Sequence, residues 1–218
     1  MSEPVDRDEI FRSIAEEFEE RWAAGDPWAA DADEAAHAGR KHELQISLID
    51  DRRYRRVVEV GCGNGNLTLG LASLADTVLS IDIAPSALAR ARSACLGFPN
   101  VSFQEANAVT FDYLEAGPWD LVTLVEAIYC FGWLYPMFDV AWMARQMVES
   151  LAPGGRLLLT NTYGADRDFL LHPYLIDTYR DLFRNAGLRV LREEVLKPSV
   201  PGTALPALVT LFGRDEIR

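Results

Sequence analysis

Residues 57–67 read Val-Val-Glu-Val-Gly-Cys-Gly-Asn-Gly-Asn-Leu. The residues before the first glycine are mostly β-branched and apolar, which is typical of a buried strand. Gly61, Gly63 and Gly65 let the backbone turn tightly and approach a ligand with no side chain in between. A helix that follows such a loop presents free N–H groups at its start. This stretch therefore predicts a strand, a ligand-binding loop and a helix.

Further short apolar runs alternate with helical patterns along the chain. Together with 57–60, the runs 78–81, 101–103, 121–125 and 157–160 predict a parallel, doubly wound α/β sheet. Two last runs, 188–195 and 207–212, follow each other across a connection rich in proline and glycine, without a helix between them. We expect these two to pair antiparallel at the sheet edge.

Two helices are predicted before the first strand. Apolar residues recur every four positions from Ile10 to Trp22, and a second amphipathic pattern covers 35–52. A chain of 218 residues with 49% apolar content can bury one sizeable core. We therefore expect a single domain over 1–218, with a helical cap in 1–53 and the sheet in 54–218.

Composition argues against several partners. The net charge of −12 opposes binding to DNA or RNA. The N-terminus lacks the basic patch and apolar run of a signal peptide, and no stretch approaches the roughly 18 apolar residues of a membrane span. We expect a cytoplasmic protein, monomeric or homodimeric, with no membrane partner. Cys62, Cys95 and Cys130 form no Cys-x-x-Cys pair, so neither a disulfide framework nor a metal site is expected.

Asp82 ends the second predicted strand, which places its carboxylate at the carboxyl edge of the sheet beside the glycines. An acid at this position can accept hydrogen bonds from both ribose hydroxyls of a nucleotide-like ligand, and it also suits a helix cap. A dinucleotide fingerprint would have a third glycine where this chain has Asn66. A nicotinamide dehydrogenase stays open as an alternative, although it leaves Pro153-Gly154-Gly155 unexplained.

These features together resemble the class I S-adenosylmethionine-dependent methyltransferases. The resemblance rests on Glu-x-Gly-x-Gly-x-Gly at 59–65, on Asp82 and on Pro153-Gly154-Gly155, and it covers 57–212. It implies an α/β, three-layer Rossmann-like methyltransferase sheet of seven strands with the last antiparallel, and two N-terminal lid helices. The implied cofactor is S-adenosyl-L-methionine, with S-adenosyl-L-homocysteine as its product.

Three short segments are similar to the NodS subgroup, rhizobial enzymes that N-methylate the free amine of a deacetylated chitooligosaccharide. They are Asp26-Pro27-Trp28, Arg40-Lys41-His42-Glu43 and Glu126-Ala127-Ile128-Tyr129. The similarity implies an amino sugar or a related amine as the acceptor. O-methylation of a natural-product hydroxyl remains the alternative, and a non-catalytic cofactor-binding regulator remains a third.

The family resemblance also implies cofactor contacts, residue by residue. The glycines would flank the methionine and ribose parts, Asp82 would hold the ribose and Ile83 would pack on the adenine. Asn107 stands where the family usually has an aspartate for the adenine amino group, and a turn residue is its alternative reading. The full predicted set is Glu59, Gly61, Cys62, Gly63, Gly65, Asp82, Ile83, Asn107, Ala108, Glu126 and Trp28.

A reactive sulfonium needs mainly alignment of the acceptor and exclusion of water, so a catalytic base is optional for an amine. We predict Glu126 and His42 as catalytic residues. Lys41, His42 and Trp28 would reach the methionine part from the cap helices, and packing is the alternative role for His42 and Trp28. Aromatic residues gather near the predicted mouth. The predicted substrate contacts are Tyr129, Trp133, Tyr163 and His172, the last with a helix-cap alternative.

Overall fold

The computed structural model describes residues 7–27, 32–164, 172–199 and 204–215. Trp28 therefore lies outside the described residues. The elements follow in the order α1 (Arg7–Ala24), α2 (Ala32–Ser47), β1 (Tyr54–Val60), α3 (Asn66–Leu74), β2 (Ala75–Asp82), α4 (Pro85–Ala94), β3 (Val101–Glu105), α5 (Tyr113–Ala116), β4 (Trp119–Val125), α6 (Ile128–Leu134), α7 (Met137–Glu149), β5 (Leu151–Thr162), α8 (Pro173–Asn185), β6 (Arg189–Leu196) and β7 (Ala207–Gly213).

All the described strands form one sheet in the order β3-β2-β1-β4-β5-β7-β6. The first five strands are parallel, and β7 runs antiparallel to both β5 and β6. The predicted α/β sheet of seven strands with the last antiparallel is confirmed. β7 is buried along its whole length because it lies between two strands, whereas β6 forms the edge and is largely exposed.

The sheet has helices on both faces, which gives the three predicted layers. Val58 and Val60 of β1 pack in a large cluster with α7 and α8, including Met143 and Phe183. Val57 points to the opposite face and packs with residues around α3, such as Leu71. Alternate residues of a strand face opposite sides, so a strand covered on both faces must be apolar throughout.

Strand order reverses around β1, which pairs with β2 on one side and β4 on the other. Ligands bind in the crevice that this reversal opens beyond the carboxyl ends of the strands. Val60 pairs with Leu124, and Val125 pairs with Thr160. The residues just after these strands therefore share one carboxyl edge.

One strand boundary differs from the sequence prediction. The predicted run 157–160 belongs to a longer strand, because α7 ends at Glu149 and Leu151 already begins β5. Pro153-Gly154-Gly155 lies inside β5. There the pairing with β4 shifts from Trp119–Leu151 to Leu121–Arg156. The extra residues form a bulge, with Gly154 at a φ of 69°.

The cap helices lie on different parts of the core. α1 packs on α4, where Trp22 contacts Ala84 and Ala87, and Glu19 accepts hydrogen bonds from Ser86. α2 packs on α3 and β7. Among the described residues, no helix is long and apolar enough to cross a membrane.

Candidate active site

The backbone conformation of the glycine loop, residues 61–65, requires glycine at three positions. Gly61, Gly63 and Gly65 have φ values of 73°, 53° and 86°, in the left-handed region that other residues rarely enter. A Cβ on Gly65 would stand 3.0 Å from the Cα of Ala91. A Cβ on Gly61 would stand 3.4 Å from the Cβ of Ala127, which follows β4. The loop is therefore tightly packed between the first and fourth strands and α4.

Asp82 holds this loop by its carboxylate. One oxygen accepts a hydrogen bond from the N–H of Gly63 at 2.9 Å, and the other accepts from the N–H of Ala84 at 3.0 Å. Burial raises the pKa of Asp82, and these backbone N–H groups act in the opposite direction. Each oxygen keeps a lone pair for a further donor, so the carboxylate can hold the loop and bind ribose hydroxyls at the same time.

Glu59, in β1 before the glycine loop, and Cys62, within the loop, are both buried. Glu59 is 3% exposed, and one of its carboxylate oxygens accepts hydrogen bonds from Thr68 Oγ1 and Ser80 Oγ, each at 2.6 Å. Burial raises the pKa of Glu59 to about 7. Cys62 is also buried, where it packs against Leu88, and burial raises the pKa of its thiol. The two predicted cofactor residues thus anchor the loop to the core, Glu59 through hydrogen bonds and Cys62 through packing.

Asn107 and Ala108 follow β3 at the same edge. The amide oxygen of Asn107 accepts a hydrogen bond from the N–H of Val109 at 2.9 Å, and its amide nitrogen donates to Tyr135 Oη at 3.0 Å. The turn role that the sequence offered for Asn107 is thus present. A second lone pair remains on the amide oxygen for an adenine amino group. Ile83 is half-buried beside this edge, as its predicted role requires.

Glu126 is the one non-glycine residue with a positive φ in the described part of the chain, at 54°. It directly follows β4, and its N–H donates to the carbonyl of Thr160 at 2.9 Å. Its carboxylate accepts hydrogen bonds from the N–H of Thr162 at 2.9 Å and from Thr162 Oγ1 at 2.8 Å. Left-handed backbone in a non-glycine residue is strained, and such strain concentrates at functional sites.

Lys41 crosses from the cap to this carboxylate. Its Nζ lies 2.6 Å from Glu126 Oε1 and 3.3 Å from Thr162 Oγ1. One helical turn later, Gln45 Nε2 donates to Thr160 Oγ1 at 3.2 Å. Lys41, which the sequence predicted to reach the methionine part of the cofactor, forms an ion pair with Glu126. Thr162 was missed in the sequence, although a polar residue at the end of a buried strand is a usable signal.

The structure places the two predicted histidines in supporting positions. The ring of His42 lies against α3, with Cε1 3.5 Å from where a Cβ on Gly70 would stand, and burial lowers its pKa. His42 thus occupies the helix interface that was its alternative reading, and Lys41 is the residue that meets Glu126. His172 caps α8, because its Nδ1 accepts from the N–H of Tyr174 at 3.1 Å.

The predicted acceptor contacts are spread over different depths. Tyr129 is half-buried three residues after Glu126, and burial together with the charge of this carboxylate raises the pKa of its phenol. Tyr163 is half-buried after β5. Trp133 is 57% exposed, one helical turn after Tyr129 on α6. No group of three or more candidate ligands for a metal ion is found among the described residues.

The comparisons with known proteins agree with this geometry. A family described as "Methyltransferase domain" matches residues 52–191. The chain therefore belongs to this family of methyltransferase domains, and its resemblance to the class I S-adenosylmethionine-dependent methyltransferases is confirmed. S-adenosyl-L-methionine is the cofactor of that class.

Particular relatives include Nodulation protein S. The chain is 26% identical to the protein from Sinorhizobium fredii over 144 residues, which cover 66% of this chain and 64% of that protein. It is 29% identical to the Rhizobium tropici protein over 149 residues, covering 67% of this chain and 57% of that protein. The chain thus matches about three fifths of the length of these relatives.

A solved structure extends the likeness in fold. The N-methyltransferase NodS from Bradyrhizobium japonicum WM9, in complex with S-adenosyl-L-homocysteine, superposes with a TM-score of 0.76 at 21% identity. The match covers 95% of this chain and 99% of that chain.

Proposed function

We propose that this protein transfers the methyl group of S-adenosyl-L-methionine to the nitrogen of a small amine, with an amino sugar as the favoured acceptor. The observation that carries the choice of an amine is Glu126, a carboxylate fixed at the carboxyl edge by Thr162 and already bound to an ammonium group. A carboxylate in such a place attracts a cationic acceptor.

The residues at the carboxyl edge fit the cofactor. The glycine loop leaves no side chain between the backbone and a ligand, and Asp82 offers free lone pairs for ribose hydroxyls. We assign Ile83 to pack on the adenine and Asn107 to accept from its amino group, because these residues follow β2 and β3 at the carboxyl edge. When bound, S-adenosyl-L-methionine supplies a methyl group on a positively charged sulfur, which any aligned lone pair can attack.

The chain's own residues would orient the acceptor and handle its proton. An amine attacks as the neutral base, so the nitrogen must release one proton in the course of methylation. Glu126 is half-buried, and its carboxylate stays in place through Thr162, so it is the group we assign to accept that proton. α1 meets the glycine loop where Trp22 lies beside Gly63, and α2 meets Glu126 through Lys41, so the two helices would exclude water from this edge.

The relatives support nitrogen as the acceptor atom. A superposable structure is described as an N-methyltransferase. The similarity of three segments to the NodS subgroup supports an amino sugar as the acceptor. This acceptor is a proposal for the present chain, because fold and family membership do not select a substrate.

One observation favours the O-methylation alternative. Lys41 neutralises Glu126, which lowers the attraction of the edge for a second cation. A hydroxyl acceptor would need no such attraction, and it would gain from a base such as Glu126 by roughly 10²–10⁴-fold.

The test begins with calorimetric titration of the protein with S-adenosyl-L-methionine, S-adenosyl-L-homocysteine and NAD. We expect saturable binding of both sulfur compounds and at least tenfold weaker binding in Asp82→Ala. The matched control is Asp76→Ala, because Asp76 is an exposed carboxylate of β2 that pairs with Arg53. Preference for NAD would contradict the proposal.

Methyl transfer from S-adenosyl-L-methionine is then measured with glucosamine and with glucose, which differ by an amine in place of a hydroxyl. We expect transfer to glucosamine alone. Transfer to glucose would favour the O-methylating alternative. Cofactor binding without transfer to any acceptor in a broad panel would favour the non-catalytic regulator.

A further inference from the structure

We propose that Glu126 and Thr162 form a subsite for the ammonium group of the acceptor, and that Lys41 occupies this subsite until the acceptor displaces it. We call these two residues the ammonium cradle. The inference rests on the proposed function, because it specifies how an amine acceptor is recognised at the same edge.

The ammonium cradle does not depend on Lys41 for its geometry. The carboxylate of Glu126 is held by the N–H of Thr162 at 2.9 Å and by Thr162 Oγ1 at 2.8 Å, and both come from the end of β5. The backbone N–H of Glu126 is bound to Thr160 at 2.9 Å. These contacts would persist if the lysine left.

Lys41 shows which kind of group the ammonium cradle binds. Its Nζ contacts Glu126 Oε1 at 2.6 Å and Thr162 Oγ1 at 3.3 Å, so a primary ammonium sits against a charged and a neutral oxygen. An acceptor ammonium carries the same charge and the same kind of donors.

The two halves of the ion pair are attached differently. Glu126 is tied to the sheet, whereas Lys41 reaches over from α2 on a flexible four-carbon chain. The side chains of Lys41 and Glu126 are 19% and 22% exposed, so the pair lies near the surface. Exchanging one ammonium for another keeps the carboxylate paired, so no unpaired charge is left buried.

The ammonium cradle lies next to the glycine loop. Ala127, directly after Glu126, packs against Gly61 of the glycine loop. An amine held by Glu126 would therefore lie beside the part of the edge where the family binds the methionine portion of its cofactor. Glu126 also carries the strained backbone described above, which the fold maintains at this one place among the described non-glycine residues.

Calorimetric titration with glucosamine tests the subsite directly, on protein saturated with S-adenosyl-L-homocysteine at pH 7. In Lys41→Met, the internal competitor is gone, and we expect glucosamine to bind about tenfold tighter than to the wild type. Lys41→Gln is a second variant that should behave alike. Lys41→Arg keeps a cation at the position and should stay within about twofold of the wild type. Glucose should bind all four proteins equally.

The matched control is Arg40→Met. Arg40 is the neighbouring cation on α2, but its guanidinium faces the carbonyl of Lys197 and not the cradle. This variant removes the same charge from the same helix. A similar gain in glucosamine affinity in Arg40→Met would show that the loss of any positive charge on α2 is enough, and it would overturn the subsite. Adding Glu126→Gln to Lys41→Met should abolish the gain.

Unchanged or weaker glucosamine binding in both Lys41→Met and Lys41→Gln would overturn the inference. So would a tenfold loss of S-adenosyl-L-homocysteine affinity in these variants, because Lys41 would then belong to the cofactor site. The proposed function fails separately, in the assay of methyl transfer. Methyl transfer to amines without tighter glucosamine binding in Lys41→Met would refute the subsite alone. Tighter glucosamine binding in Lys41→Met without methyl transfer would refute the proposed function alone.

Discussion

The two halves of the carboxyl edge are built in different ways. The cofactor half consists of the glycine loop and Asp82, which lie within 22 residues of one another from position 61 to 82 and are joined by backbone hydrogen bonds. The acceptor half joins side chains from three distant segments, namely Lys41, Glu126 and Thr162. The first half is specified by local backbone conformation, and the second is specified by how α2, β4 and β5 pack.

This difference predicts how each half responds to substitution. Changes in the cofactor half should affect binding of every cofactor-like ligand, and often stability too. Changes in the acceptor half should affect turnover and leave cofactor affinity nearly intact.

The largest effect is expected from Gly65→Val. The substitution places a branched side chain at a φ of 86° and brings its Cβ to 3.0 Å from the backbone of Ala91. We expect a loss of about 2–4 kcal/mol in the free energy of unfolding and no measurable cofactor binding. Urea unfolding and calorimetry measure the two. Gly97→Ala is the control, because a Cβ there meets nothing within 4 Å. Equal losses of stability and of cofactor binding in the two variants would contradict the tight packing of the loop at Gly65.

Glu126→Gln should separate the two halves most clearly. The amide keeps the size of the side chain but removes its charge and its ability to take a proton. We expect kcat with an amine acceptor to fall roughly 10²-fold, with S-adenosyl-L-homocysteine affinity within about threefold of the wild type. Steady-state kinetics and calorimetry provide the two numbers. A parallel fall in cofactor affinity would show that Glu126 belongs to the cofactor half as well.

Glu59→Gln should alter the pH dependence of stability. Burial raises the pKa of Glu59 from 4.5 to about 7, so the folded protein binds more protons than the unfolded chain between these values. The contribution of Glu59 to stability therefore falls as the pH rises through this window, by up to about 3 kcal/mol, and is constant above it. The glutamine has no charge to bury, so its stability relative to the wild type should increase from pH 5 to pH 8.

Urea unfolding at pH 5, 6, 7 and 8 measures this difference. A stability difference between Glu59→Gln and the wild type that stays constant with pH would show that Glu59 is not desolvated in the folded state.

The smallest effect is expected from His172→Ala. Its ring nitrogen caps α8, so its removal should cost about 0.5–1 kcal/mol of stability without changing KM for the acceptor. Thermal unfolding and steady-state kinetics distinguish this from the substrate contact predicted from sequence. A raised KM with unchanged stability would restore the substrate role.

The cofactor half could be predicted from the sequence because its signals are local. Three glycines at alternate positions, a buried strand before them and an acid at the next strand end each constrain the backbone within a few residues. The seven strands were likewise legible from their apolar runs. The short helices α5 and α6 were missed, because so few residues show no period.

What the sequence by itself determined was the sheet, the glycine loop and the family, since these follow from apolar periodicity and from conformations that only glycine adopts readily. Only the tertiary structure decided that Lys41, and not His42, meets Glu126, and that Thr162 holds the carboxylate. Adjacent residues of a helix face different directions by about 100°, so one of two neighbours reaches a distant side chain and the other packs elsewhere. That choice depends on how α2 is rotated against the sheet, which no local pattern encodes.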